Sequence, residues 1–165
     1  MTTAGEPAVM IHALTETQIG EIVRQAEIGY PEEICGIVVG KPGSPDTYRV
    51  CQVQNIANRE RQQDTTGVER DARTAYRMDD REVLRILRQA DVAGWDVVTF
   101  YHSHPDHPSL PSERDRRWAE EIWRSSESWS YVILEVAAGR LVSWRSWVLR
   151  EGVFQEEPVE IAAGP

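Results

Sequence analysis

The chain has 165 residues, 41% of them hydrophobic and six of them tryptophan, enough to enclose an apolar core and too apolar for a disordered chain. Its formal charge is −9, from 18 Lys plus Arg against 27 Asp plus Glu, so no nucleic acid and no anionic membrane is expected as its main partner. No run approaches the roughly 20 apolar residues that span a bilayer, and MTTAGEPAVM lacks a signal-peptide pattern, so a cytoplasmic location is expected.

The first predicted element is a helix over 15–29, TETQIGEIVRQAEIG. Thr15 with Gln18 forms a capping box there, and Ile19, Ile22, Val23 and Ala26 form an apolar stripe. ICGIVVG, 34–40, is β-branched and bounded by glycine, so it reads as a central strand. A turn over KPGSPD leads to a second strand, TYRVCQVQNI, 47–56. The polar stretch 57–75 has no stable period and is expected to be a long loop. A second helix fits 79–92, with Asp79 and Asp80 at the start, where the helix dipole favours acids.

WDVVTFYHSH, 95–104, is an apolar strand, and SERDRRWAEEIWRSS, 112–126, reads as the third helix. YVILEVAAGRLVSWRSWVLR, 131–150, is a hairpin turning at Ala138-Gly139, and EGVFQEEPVE, 151–160, supplies an edge strand or a tail. The pattern predicts one α/β domain over 1–165 with a mixed sheet and flexible ends at 1–8 and 160–165. Cys35 and Cys51 form no CxxC pair, and a free, buried pair is expected. Arg114, Arg116 and Arg117 could make a positive patch for an acidic partner or a carboxylate.

The stretch YHSHPDHPSLPSERDR, 101–116, holds three of the four histidines. His102 and His104 sit two apart at a strand end, so alternation puts both imidazoles on one side of the sheet, where a metal could bridge them. Asp115, in the first turn of the next helix, is the best third ligand. Ser112 with Asp115 is also the Ser-x-x-acid of an ordinary helix cap. His107 is a further nitrogen whose direction the proline-rich loop leaves open. A metal-bound water needs a base, and HExxH is absent. Glu32 and Glu33 precede the apolar strand, where burial would raise a carboxylate's pKa, and spacing does not separate them.

PEEICGIVVG together with YHSHPDHPSLPSERD resembles the JAMM family of zinc metalloproteases, also called MPN-plus domains. That family's pattern is a glutamate before a Cys/Gly-containing strand, then His-x-His, ten residues and Asp. The resemblance implies an MPN-like fold, a mixed curved sheet flanked by helices. It also implies one zinc ion per chain, held by His102, His104 and Asp115. Glu33, rather than Glu32, is then the general base, and Ser112 assists the developing oxyanion. The compact bacterial members are most similar. They imply, as partner and substrate, a ubiquitin-like sulfur-carrier protein cut after its C-terminal Gly-Gly, releasing an amino acid or a short tail. Where the family often has a serine after the third helix and its following strand, this chain has Glu135 or a neighbour. A deubiquitinase-like isopeptidase, a noncatalytic scaffold and a DNA-repair-associated relative are the competing readings.

Overall fold

The computed structural model describes residues 14–58, 76–122, 129–159 and 161–162. The expected loop from 59 to 75, the end 1–8, residues 123–126 of the third helix, and residues 160 and 163–165 lie outside the described residues. Among the described residues no helix is long and apolar enough to cross a membrane.

Helix α1, Glu16–Gly29, begins with the expected box. The Thr15 hydroxyl accepts from the Gln18 N–H at 3.3 Å, and the Gln18 side chain accepts from the Thr15 N–H at 2.9 Å. Two orphan donors of the first turn are thereby satisfied. Helix α2, Asp80–Val92, is capped by the Asp79 carboxylate, and helix α3 runs over Glu113–Ile122.

Strands β1 (Leu14–Thr15) and β8 (Ile161–Ala162) form a short parallel pair. Strands β2 (Cys35–Gly40), β3 (Arg49–Val53), β4 (Asp96–Pro105), β5 (Ser130–Ala137), β6 (Arg140–Arg150) and β7 (Val153–Glu157) form a sheet in the order β3-β2-β4-β5-β6-β7. Within this six-stranded sheet the described ladders are antiparallel except the central β4–β5 one, with α3 lying between the two strands in the chain. The second expected strand is shorter than 47–56, because a 3₁₀ turn, led by Pro45, occupies Pro45–Thr47. The β5–β6 hairpin turns at Ala138 and Gly139, both at positive φ, as the tight turns that suit strand twist require. Bulges at Val38/Val39 and Glu135/Val136 shift the register, the kind of irregularity that bends a strand.

Both faces of the sheet are covered. Ile22 and Ala26 of α1 pack on Val38, Val98, Tyr101, Val132 and Leu134. On the other face Ile86, Ala90 and Ala119, from α2 and α3, pack on Ile37, Phe100 and Ile133. That is why β2 and the first part of β4 read as continuous apolar runs. Each fully buried Val, Ile, Leu or Phe contributes about 1.5–3 kcal/mol relative to exposure.

Gly36 sits opposite Tyr101 in the β2–β4 ladder. A Cβ at Gly36 would lie 2.6 Å from Tyr101 Cε1 and closer still to its hydroxyl. That hydroxyl donates to Gln25 Oε1 at 2.6 Å, and Gln25 Nε2 donates to the Cys35 carbonyl at 3.1 Å. Gly36→Ala must therefore displace the ring and break this link. A loss of about 1–3 kcal/mol is expected in urea unfolding, and an unchanged midpoint would contradict the close packing.

Candidate metal centre

The site lies where β4 leaves the sheet. The β-branched and aromatic run Val97–Tyr101 holds β4 between two neighbours, and period two then sends His102 and His104 to the face of Phe100 and Cys35. Both are 4% exposed, and their Nε2 atoms stand 3.0 Å apart. Asp106, at φ 60, starts the return. Its carboxylate accepts from the Tyr30 hydroxyl at 2.8 Å, and its N–H donates to the Val136 carbonyl at 2.8 Å. Trp147 Nε1 donates to the Ser109 carbonyl at 3.2 Å. The loop so pinned delivers α3 back over the histidines.

Asp115 is 7% exposed. One carboxylate oxygen lies 3.1 Å from His102 Nε2 and the other 3.3 Å from His104 Nε2. Its position is set by a reciprocal cap. The Ser112 hydroxyl accepts from the Asp115 N–H at 3.1 Å, and Asp115 Oδ2 accepts from the Ser112 N–H at 2.8 Å. The helix-cap reading of Ser112 and Asp115 thus holds, and the same cap leaves the Asp115 carboxylate beside both imidazoles.

The chemistry of this donor set fits a divalent metal. Donor atoms of His102, His104 and Asp115 lie within 4.8 Å of one another, and all three residues are buried. His104 Nδ1 lies 2.8 Å from the Pro108 carbonyl, which can only accept, so the proton sits on Nδ1 and the Nε2 lone pair faces inward. Burial holds His102 below the usual imidazole value, against the pull of Asp115. Burial also acts to lower His104, but Asp115, the Pro108 carbonyl and the Glu33 charge outweigh it and raise the net value. Burial acts to raise Asp115, yet the charges and hydrogen bonds of the two imidazoles hold it well below the usual carboxylate range. A cation is favoured at the point where the three groups meet. Two imidazoles and one carboxylate are the protein donor types of a catalytic zinc site.

The structure separates the two glutamates. The β2–β4 register ends at Cys35↔His102, and Glu33, two residues before Cys35, is buried close enough for its charge to act on His104. Glu33 is 5% exposed, and its charge reaches His104, Cys35 and Tyr76. Its backbone is held by Asn55, whose Nδ2 donates to the Glu33 carbonyl at 2.8 Å. Next to it, Ser103 and Ile34 exchange two bonds of 2.9 and 3.0 Å that lock β2 to β4. Glu32 is exposed and accepts from Asn58 at 3.1 Å. His107 is also exposed, its ring 5.5 Å from that of His104.

Sequence reasoning missed Tyr76. Its buried ring stacks on His102 at 4.4 Å and 25°, fixing the imidazole plane, and burial keeps its phenol neutral. Only its place as the first aromatic after a long polar stretch could have drawn notice. The expected arginine patch is largely answered within α3. Arg116 pairs with Glu113 and, at 2.7 Å, with Glu120, and Arg117 approaches Glu113 at 3.6 Å. Both cysteines are free, Cys35 fully buried and Cys51 only half-buried.

The family model described as prokaryotic homologs of the JAB domain matches residues 15–149. The chain is similar to the desampylase of Haloferax volcanii, 34% identical over 54% of this chain and 55% of that protein. It is also similar to the CysO-cysteine peptidase of Mycobacterium tuberculosis, 29% identical over 87% of this chain and 86% of that protein. The match thus spans about half the length of the desampylase and most of the peptidase. A JAB1/MPN domain protein from Archaeoglobus fulgidus superposes with a TM-score of 0.55 at 15% identity, covering 93% of this chain and 99% of that one, a likeness of fold.

Proposed function

Because the chain belongs to the prokaryotic JAB-domain family, the JAMM proteins its motif resembles, we propose that it is a zinc-dependent peptidase acting on a ubiquitin-like sulfur-carrier protein. The bond cut is the one after the carrier's C-terminal Gly-Gly, and an amino acid or a short tail is released. The observation that carries this reading is the convergence of His102, His104 and Asp115, with Glu33 buried near His104.

Zinc held by His102, His104 and Asp115 would lower the pKa of a water and polarise the scissile carbonyl. Glu33 takes a proton from the attacking water and returns one to the departing nitrogen as the C–N bond breaks, so its own protonation is restored with each turnover. The Ser112 hydroxyl accepts from the Asp115 N–H, which leaves its hydrogen to donate to the developing oxyanion. Loss of one such donor costs about 3 kcal/mol of transition-state stabilisation. His104 is held by the Pro108 carbonyl and His102 by the Tyr76 ring, so neither imidazole must reorganise during the reaction. A glycine tail suits a buried site of this kind, since it has no side chain to obstruct close approach. Likeness to a desampylase favours a second reading, in which a ubiquitin-like protein is removed from a conjugate by the same chemistry.

Zinc-loaded protein incubated with ubiquitin-fold carriers whose Gly-Gly is followed by further residues should shorten them to the Gly-Gly, read by intact mass. The corresponding tail peptides should be cut much more slowly, because the folded carrier surface supplies most of the affinity. Intact carriers alongside fast turnover of an unrelated peptide would remove the carrier reading.

A further inference from the structure

One row of the sheet crosses the site and continues past it. On the β2 side the Glu33 charge reaches His104; on the other side the parallel ladder sets His104 beside Glu135, and Glu135 faces Ser143 on β6. Residues paired across strands share a face, and neighbouring strands lie about 4.8 Å apart. Glu135 therefore stands beside His104 on the face that carries the metal-binding groups, and Glu33 lies near the same imidazole. Glu33 has its part in the chemistry. Glu135 has none assigned.

Glu135 is half-buried and held in place. One oxygen accepts from the Ser143 hydroxyl at 3.3 Å, and Ser143 Oγ meets Ser109 Oγ at 3.0 Å, in the loop that brings α3 over the histidines. None of these groups carries a positive charge. Arg145, the cation two residues further along β6 on the same face, turns instead to Glu156 at 3.8 Å. Among the described residues no ion pair includes Glu135. A positioned carboxylate beside the reacting centre is where a ligand's positive charge would meet it.

We infer that Glu135 is a specificity-determining residue that reads positive charge on the leaving group, favouring lysine or arginine directly after the Gly-Gly and disfavouring an acidic residue there. This rests on the Gly-Gly reading. The two glycines of the acyl side carry no side chain, so the nearest substrate charge within reach of Glu135 belongs to the residue beyond the cut. The serine pair holds the carboxylate in place in the absence of substrate, which limits the ordering cost of forming the contact.

The test uses one ubiquitin-fold carrier ending in Gly-Gly-Xaa-Ala-Ala, with Lys, Arg, Gln or Glu at Xaa and the acyl side constant. Rates with the zinc-loaded enzyme are read by intact mass. The Lys and Arg tails should have kcat/KM about tenfold above the Glu tail, the scale of a partly desolvated charge contact. Glu135→Gln should bring the Lys-to-Glu ratio close to one, and Glu135→Lys should reverse it, both with wild-type zinc content by elemental analysis. Equal rates for all four tails, each cut after Gly-Gly, would overturn the charge inference and leave the Gly-Gly reading standing. A ratio unchanged in Glu135→Gln would also overturn it, as would loss of zinc in that variant, which would make Glu135 part of the metal site instead. Cleavage of no tail would overturn the Gly-Gly reading and this inference with it.

Discussion

Glu33→Gln should keep its metal and its fold and lose turnover by about 10²–10⁴-fold, the usual contribution of a positioned general base. The amide has nearly the shape of the carboxylate, but it cannot take a proton from water or return one to the leaving nitrogen. Glu33 is no member of the convergent metal-binding group, so zinc content should stay at one per chain. Glu32→Gln is the internal control. Its side chain is exposed and meets Asn58, and its removal should change kcat by less than about twofold, as ordinary surface substitutions do. Single-turnover cleavage of a carrier tail by both variants, with zinc measured in parallel, checks this. An inactive Glu32→Gln beside an active Glu33→Gln would show that the wrong carboxylate has been assigned.

His104→Ala should release the metal and take activity to background. Three protein groups meet at the centre, and loss of one leaves two donors, too few for a zinc site built on three. The Pro108 carbonyl loses its imidazole partner as well, loosening the loop that brings Asp115 back. Zinc measured after dialysis should fall from one per chain to near none, and full retention would remove His104 from the ligand set. The fold should persist without metal, because both faces of the sheet bury apolar clusters of their own. Far-ultraviolet circular dichroism of the variant separates metal loss from unfolding.

Local interactions made much of this molecule legible in its sequence. The Thr15–Gln18 box, the Asp79 cap and the Ala138-Gly139 turn are each decided within four residues of chain. Alternation along one strand was enough to put His102 and His104 on the same face, and one capping motif was enough to place Asp115 at the first turn of α3. The assignment of Glu33 over Glu32 came from family resemblance, because adjacent glutamates have the same composition and the same local environment. What separates them physically is register between strands almost 70 residues apart. The Ile34–Ser103 bonds fix the start of β2 on β4, and there Glu33 is buried near His104 while Glu32 is exposed.

The composition and the short-range patterns by themselves determined an α/β chain with these helices and strands, a histidine pair on one face, and an acid positioned to join it. Tertiary structure alone decided that Tyr76 lies on the His102 ring, that Asn55 holds the Glu33 backbone, and that Glu135 stands in the row of His104 with a serine and, among the described residues, no cation. Periodicity reports which way a side chain points from its own strand. Which side chain it then meets depends on strand order and register, and those are set by packing across the whole sheet.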